Sequence, residues 1–353
     1  MPARTPKPGR RQPTIHEVAA AAHVSIGTVS RVAGDSPRVA ADTRARVLAA
    51  IEALGYQPSA AARAMRTNRT KTIGFLIPDM TNQVFARVAQ GAETVLAPEG
   101  YMLFAFSSNR SPAREVRFLQ AARQRRMDGL IVTLSDETAA GPIEELRRLD
   151  VPIIVLDREV QLDADVVFSE HIQSIETVVD HLLGLGHQRI GLITASQKIR
   201  PGRDRVTAYR RALIRAGVPI DEWLIRARMQ SAEHGAAETS DLLTGANPAT
   251  AILAAGSDIF YGALRAIRLF GLSIPGDISF VGADDPLLGE LVFPPITVID
   301  RDMVDVGRQA ARLLLDRLNG LDLPPRHIML GSNLLMRRST AVPRSRPDQQ
   351  SRV

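Results

Sequence analysis

The chain has 353 residues, with 44 Lys and Arg against 38 Asp and Glu, 45% hydrophobic residues and no cysteine. That length predicts two or three compact units, and the missing cysteine excludes disulfides and thiolate metal centres. The charge is unevenly spread: residues 1–71 carry twelve Lys and Arg but four Asp and Glu, a net +8, which leaves a net −2 for the rest. A basic head on a near-neutral body is the footprint expected of a nucleic-acid-binding protein.

Residues 1–12 read as a basic, Pro-rich, disordered tail. No apolar signal core follows them, and no apolar run approaches the ~20 residues of a membrane helix, so a soluble, cytoplasmic protein is expected. Thr14 and Glu17 have the spacing of a capping box for a first helix whose apolar face is Ile15, Val18, Ala19 and Ala22. Ser25 is placed to cap a second helix, Ile26 to about Ala33, with Val29 and Val32 inward. Gly34-Asp35-Ser36-Pro37 breaks the pattern. A third helix, about Ala41 to Leu54, is expected to bury Val47, Leu48, Ile51 and Leu54 and to stop at Gly55. Pro58 then opens a short Ala-rich stretch, Ser59 to Arg66, marginal as a helix on its own.

From Thr72 onward strand-like and helix-like runs alternate. The strands are expected at Ile73–Pro78, Tyr101–Ser107, Gly129–Leu134, Pro152–Asp157, Ile190–Thr194, Ala251–Ala255, Ile278–Asp284 and Ile296–Asp300. Helical segments are expected at Val84–Leu96, Ile172–Leu185, Val206–Ala216, Ile259–Phe270 and Val304–Leu318. This alternation predicts an α/β body with parallel sheets covered on both faces. Its ~270 residues point to two lobes rather than one sheet. Residues 342–353 read as a polar, disordered tail.

The first two helices have the layout of a helix-turn-helix, whose second helix would enter the major groove. Ile26, Gly27, Ser30 and Arg31 project from its outer side, opposite Val29 and Val32. Arg31 is the natural base reader, because a guanidinium pairs in bidentate fashion with guanine O6 and N7. Ile26 would meet a thymine methyl, and Gly27 would permit close approach. Thr14, Ser25, Thr28 and Ser30 are candidate phosphate contacts. The alternative is an ordinary three-helix bundle with a charged face; the +8 head favours DNA.

Several motifs at fixed spacing carry a resemblance to a known family. They are Thr14-Ile-His-Glu-Val-Ala19, Val24-Ser25, Thr28-Val-Ser-Arg-Val32, Val39 with Thr43-Arg44, and Leu54-Gly-Tyr-Gln-Pro-Ser59. Arg63-Ala-Met-Arg66 and Thr72-Ile-Gly-Phe-Leu-Ile-Pro78 follow in order. Over about residues 14–340 the chain resembles the lactose/galactose repressor family of bacterial transcriptional regulators. The resemblance implies a homodimer on a pseudo-palindromic, double-stranded operator. It implies a helix-turn-helix domain at 13–57 and a hinge helix and linker at 58–71. Ser59, Arg63, Met65 and Arg66 would then contact DNA. Met65 stands where the family carries a Leu that wedges between base steps, and Met is among the side chains that act so.

The resemblance further implies a periplasmic-binding-protein-like effector domain at 72–341. Lobe 1 is expected at about 72–168 and 296–322, and lobe 2 at about 169–295 and 323–341. Ligands in such sheets sit beyond the carboxyl ends of strands. Phe85, Phe168, Ser257 and Asp284 match family site positions, Arg205 matches an effector-contacting Arg, and Asp157 ends an apolar strand. For each acid the alternative is a surface or capping carboxylate. Thr81-Asn-Gln-Val-Phe-Ala86 is similar to the gluconate-responsive members, so a sugar or sugar acid is the expected effector.

No cofactor or metal is expected, and the rival classes lack their motifs. The chain shows no phosphate-binding or dinucleotide glycine fingerprint, no nucleophile elbow and no His pair at metal-binding spacing. An architectural DNA binder indifferent to small molecules would differ in showing no ligand-dependent change in operator affinity. A secreted binding protein is opposed by the basic head.

Overall fold

The computed structural model describes residues 13–34, 37–56 and 69–344. The chain divides into two units, Met1–Thr70 and Lys71–Val353.

Three helices build the first unit: α1 (Ile15–Ala21), α2 (Ile26–Ala33) and α3 (Ala41–Leu54). Each start or stop has a local cause. The Glu17 amide donates to Thr14 Oγ1 at 3.4 Å while the Thr14 amide donates to Glu17 Oε2 at 2.6 Å, a closed capping box. Ser25 Oγ accepts from the Thr28 amide at 3.2 Å. Gly55 adopts φ +64°, and the Tyr56 amide turns back to the Ile51 carbonyl at 3.0 Å. Val18, Ala19, Ala22, Val29, Val32, Val47 and Ala50 form the buried core. Leu48 and Leu54 are 49% and 39% exposed, against the expectation that α3 buries them. Leu48 sits about 100° around the helix from Val47, and Leu54 lies in the last turn, beyond the reach of so small a core.

The second unit holds two six-stranded sheets. The first runs β11-β5-β4-β3-β1-β2 and the second β12-β10-β9-β8-β6-β7. Their strands are β1 (Thr72–Ile77), β2 (Met102–Ser107), β3 (Gly129–Val132), β4 (Ile153–Leu156), β5 (Asp165–Ser169), β6 (Ile190–Ala195), β7 (Ile225–Arg228), β8 (Ala251–Ala255), β9 (Ser279–Ala283), β10 (Thr297–Arg301), β11 (His327–Leu330) and β12 (Ser332–Leu335). All pairings are parallel except β10 with β12. The intervening helices are α4 (Gln83–Leu96), α5 (Pro112–Gln124), α6 (Ala140–Arg147), α7 (Ile172–Gly184), α8 (Arg200–Arg215), α9 (Ala232–Thr244), α10 (Ser257–Leu269), α11 (Pro286–Leu291) and α12 (Met303–Leu318). Near-continuous apolar strands such as β6 and β8 are buried along their whole length, as sheets covered on both faces require.

Helix α12 packs on α4 at a distance that only glycine permits. A Cβ at Gly91 would lie 1.9 Å from the Val304 carbonyl oxygen, and one at Gly307 would lie 2.0 Å from that of Val88. The two glycines face each other's helix and let the backbones touch.

The division of strands between the lobes departs from expectation. Strand β10, assigned above to lobe 1, pairs with β9 in the second sheet, where Val298 is buried in that lobe's core. Strand β11, assigned to lobe 2, pairs with β5 in the first sheet, His327 opposite Val166. The chain therefore crosses between lobes after β5, after β10 and after β11. Within the segment from 342, expected to be a disordered tail, Arg344 pairs with Asp277. The expected tail 1–12, the tail beyond 344 and the hinge residues Ser59, Arg63, Met65 and Arg66 lie outside the described residues.

Candidate functional site

In the head, α2 turns Val29 and Val32 into the core and leaves Ile26, Gly27 and Arg31 exposed, with Ser30 half-buried. Arg31 Nε donates to the Gly27 carbonyl one turn back at 3.1 Å. That bond anchors the guanidinium and leaves Nη1 and Nη2 without a partner among the described residues. A planar fork held on the exposed face of a helix is the geometry of bidentate base recognition. Ser25 and Thr28 bond each other through their hydroxyls at 3.0 Å at the start of α2, and Thr14 is occupied by its capping box. The Ser25–Thr28 hydroxyl pair at the N-terminus of α2 is of the kind that meets phosphate, whereas the Thr14 hydroxyl donates to Glu17 Oε2 at 3.0 Å.

In the body, each sheet reverses its strand order once, between β1 and β3 in the first and between β6 and β8 in the second. Crevices at such points are where open α/β sheets bind ligands. The two crevices meet. Asn82, the N-cap of α4 after β1, accepts from Ser257 Oγ at 3.2 Å and donates to Asp258 Oδ2 at 3.2 Å, both at the start of α10 after β8. Gln83 reaches the Tyr261 hydroxyl at 2.6 Å. Arg110 pairs with Asp79 of its own lobe at 2.7 Å and with Asp258 of the other at 3.6 Å. On the opposite rim Lys198 lies 3.5 Å from Asp136, and Arg203 bonds both Glu137 and Glu159. Polar bonds thus close both rims over two adjoining cavities of about 60 and 100 Å³.

Of the six expected ligand residues, Phe85, Asp157 and Arg205 line this cleft. Ser257 is fully buried and spent on Asn82. Phe168 carries the Arg200 guanidinium 4.3 Å from its ring centre. Asp284, 1% exposed, lies behind the lining.

The acids are held by a charge network that sequence reasoning missed. Asp157 follows β4 with φ +52° and Asp284 follows β9 with φ +70°. Asp157 accepts from Arg200 at 3.1 Å, from the Ser169 amide at 3.1 Å and from His171 at 2.9 Å. Against the effect of burial, His171 and the charges of Arg301 and Arg158 hold its carboxyl well below the ordinary range. Burial pushes His171 down to about 4, so it stands neutral with its Nε2 proton directed at Asp157. Arg301 donates to Asp284 at 2.7 Å and reaches Asp157 at 3.5 Å. Arg205 donates to the Ala255 carbonyl at 2.8 Å and stands 3.9 Å from Asp284. Arg158, another cleft residue that went unnoticed, donates to the carbonyls of Leu134 at 2.6 Å and Asp157 at 2.8 Å. An Asp-Arg pair ending an apolar strand, at 157–158, was the available signal.

Comparison with known proteins gives two domain matches. Residues 14–59 match the family model for bacterial regulatory proteins of the lacI family, and residues 179–340 match a periplasmic binding protein-like domain. The HTH-type transcriptional regulator DegA of Bacillus subtilis (strain 168) is 30% identical over 331 residues, 93% of this chain and 98% of that protein. A solved complex of the transcriptional regulator CelR with cellobiose aligns with 29% identity and a TM-score of 0.71, covering 93% of this chain and 100% of that one. A Lac repressor dimer bound to operator and the anti-inducer ONPF aligns with 26% identity and a TM-score of 0.82, covering 94% and 100%.

Proposed function

The chain belongs to the lacI family of bacterial regulatory proteins, and from that premise we propose that it is a repressor released from or recruited to its operator by a sugar-like effector in the interlobe cleft. It is a DNA-binding transcriptional regulator. Residues 13–57 read the major groove through Arg31, with Ile26, Gly27 and Ser30 beside it and Thr14, Ser25 and Thr28 on phosphates. Residues 58–71 form the hinge that places Ser59, Arg63, Met65 and Arg66 against the minor groove. Two copies bind one pseudo-palindromic site in the cytoplasm. Phe85, Asp157 and Arg205 contact the effector, while Phe168, Ser257 and Asp284 hold the lining in place. The relatives are regulators rather than enzymes, and we read this chain as one without turnover; conversion of a bound sugar would overturn that.

The observation that carries the reading is the meeting of the two strand-order reversals at Asn82, Ser257 and Asp258. A ligand seated there changes how these rims close, and a change in lobe closure shifts the population of DNA-competent dimers. Selection of bound DNA from a random pool tests the operator half: a two-fold symmetric site is expected. Titration of that complex with sugars and sugar acids tests the sensor half. A symmetric site whose affinity no such ligand alters would leave a DNA binder and remove the sensor.

A further inference from the structure

The charged side chains lining the cleft are Arg110, Asp157, Arg158, Arg205, Arg228 and Arg301, five cations to one anion. Four of the six are already matched. Asp157 is taken by His171, Arg200 and Arg301. Arg110 has Asp79 and Asp258, Arg301 has Asp284, and Arg228 lies largely in solvent 3.5 Å from Glu238.

Arg158 and Arg205 are different. Arg158 is 6% exposed, its Nε and Nη1 meet only main-chain carbonyls, and no carboxylate lies within 4.0 Å among the described residues. Its Nη2 makes no bond to them. Asp157, Glu137 and Glu115 act on it only at longer range, and each is bonded elsewhere, Asp157 to His171, Arg200 and Arg301. Glu115 accepts from the Ser135 amide at 2.8 Å, and Glu137 is paired with Arg203. Among the described residues the one carboxylate within 4.0 Å of Arg205 is Asp284, at 3.9 Å, with Asp157 and Asp204 acting from farther away, and Arg301 holds Asp284 more closely, at 2.7 Å. Burial and the neighbouring Arg301 push Arg205 down to about 10, and burial pushes Arg158 down as well. A buried guanidinium short of counter-charge is costly, and a ligand anion relieves that cost through charge-assisted hydrogen bonds. Ser135, Ser196 and Gln230 line the same space and offer partners for hydroxyl groups.

We propose that the effector is an anionic sugar derivative, with its carboxylate or phosphate held by Arg158 and Arg205, and that neutral sugars are discriminated against. The inference rests on reading the cleft as the effector site. It follows from the same logic that Arg158 sets the charge specificity, although nothing in its sequence neighbourhood beyond the strand end marks it out.

The test is calorimetric titration of the full-length protein with gluconate, galactonate, glucuronate and galacturonate, with glucose 6-phosphate and galactose 6-phosphate, and with glucose and galactose. At least one anion is expected to bind about 10-fold or more tightly than its neutral parent. The carboxylate and phosphate arms then say which anion is meant. Arg158→Gln is expected to weaken the anion by about 10- to 100-fold and leave the neutral parent unchanged, with partial rescue by Arg158→Lys. Should the Gln variant fail to fold by circular dichroism, the anion-to-neutral ratio of the wild type decides alone. Neutral sugars binding as well as or better than anions would overturn the anion assignment and leave the sugar-gated reading standing. Binding of no compound in the panel would overturn both.

Discussion

Arg301, the last residue of β10, donates through Nε to Oδ1 of Asp284, the residue after β9, at 2.7 Å, and both side chains are almost completely buried. The same guanidinium extends to Asp157 at the end of β4, so one arginine links strand ends from both sheets. It sits where the chain crosses from β10 into α12. A charge in that position cannot be solvated by water and depends on its partners for its whole stabilisation.

Removing Arg301 strands Asp284 with only the more distant Arg205. Arg301→Met is expected to cost about 3–5 kcal/mol of stability in urea denaturation. The double replacement Arg301→Met with Asp284→Asn should recover part of that loss, because the uncompensated buried anion is gone. Equal losses in the single and double variants would show that the pair is not the source of the cost.

Two pH windows follow from named groups. His171 has its folded pKa lowered to about 4 from 6.5, so the unfolded chain binds the extra proton between those values. Its stability contribution is complete above about pH 6.5 and falls as the pH drops toward 4. Asp165, held by Arg317 and Arg326, is lowered to about 2 from 3.8. Its contribution, about 2 kcal/mol, is present above about pH 4 and is lost as the pH falls through 2. Denaturation at a series of pH values should show the upper slope flattened in His171→Asn and the lower one flattened in Asp165→Asn.

Contact between α4 and α12 depends on the absence of two β-carbons. Gly307→Ala would drive a methyl group into the Val88 carbonyl. The helices must separate, at a cost of about 1–3 kcal/mol for overpacking. A thermal melt should register this as a lowered midpoint; helix propensity alone would raise it on replacing Gly by Ala, so an unchanged or raised midpoint would show that the close contact is not limiting.

Arg31 presents its free fork from the exposed face of α2. Arg31→Ala should lose about 1–3 kcal/mol of preference for guanine at one position of each half-site and retain nonspecific affinity. Binding to selected and scrambled duplexes at fixed salt measures both terms. A uniform loss across all sequences would make Arg31 a phosphate contact.

The sequence by itself determined what depends on near neighbours. Thr14 with Glu17, Ser25 and Gly55 mark the head's helices because a cap acts within one turn. Runs such as Ile73–Pro78 and Ala251–Ala255 mark strands because a strand buried on both faces must be apolar throughout. The short strand β7, Ile-Arg-Ala-Arg, carries no such mark, because an edge strand buries little. Exposure of Leu48 was likewise illegible, since helical periodicity does not say how far a small core extends. Tertiary structure alone decided the site. Arg200, His171 and Arg301 are ordinary in their local sequence, and they become a network only where chain crossings bring the ends of β4, β9 and β10 together. The exchange of β10 and β11 between the lobes has the same origin: β11 pairs with β5 about 160 residues back, which leaves no local trace, and β10 stays with its near neighbour β9, where Val298 is buried.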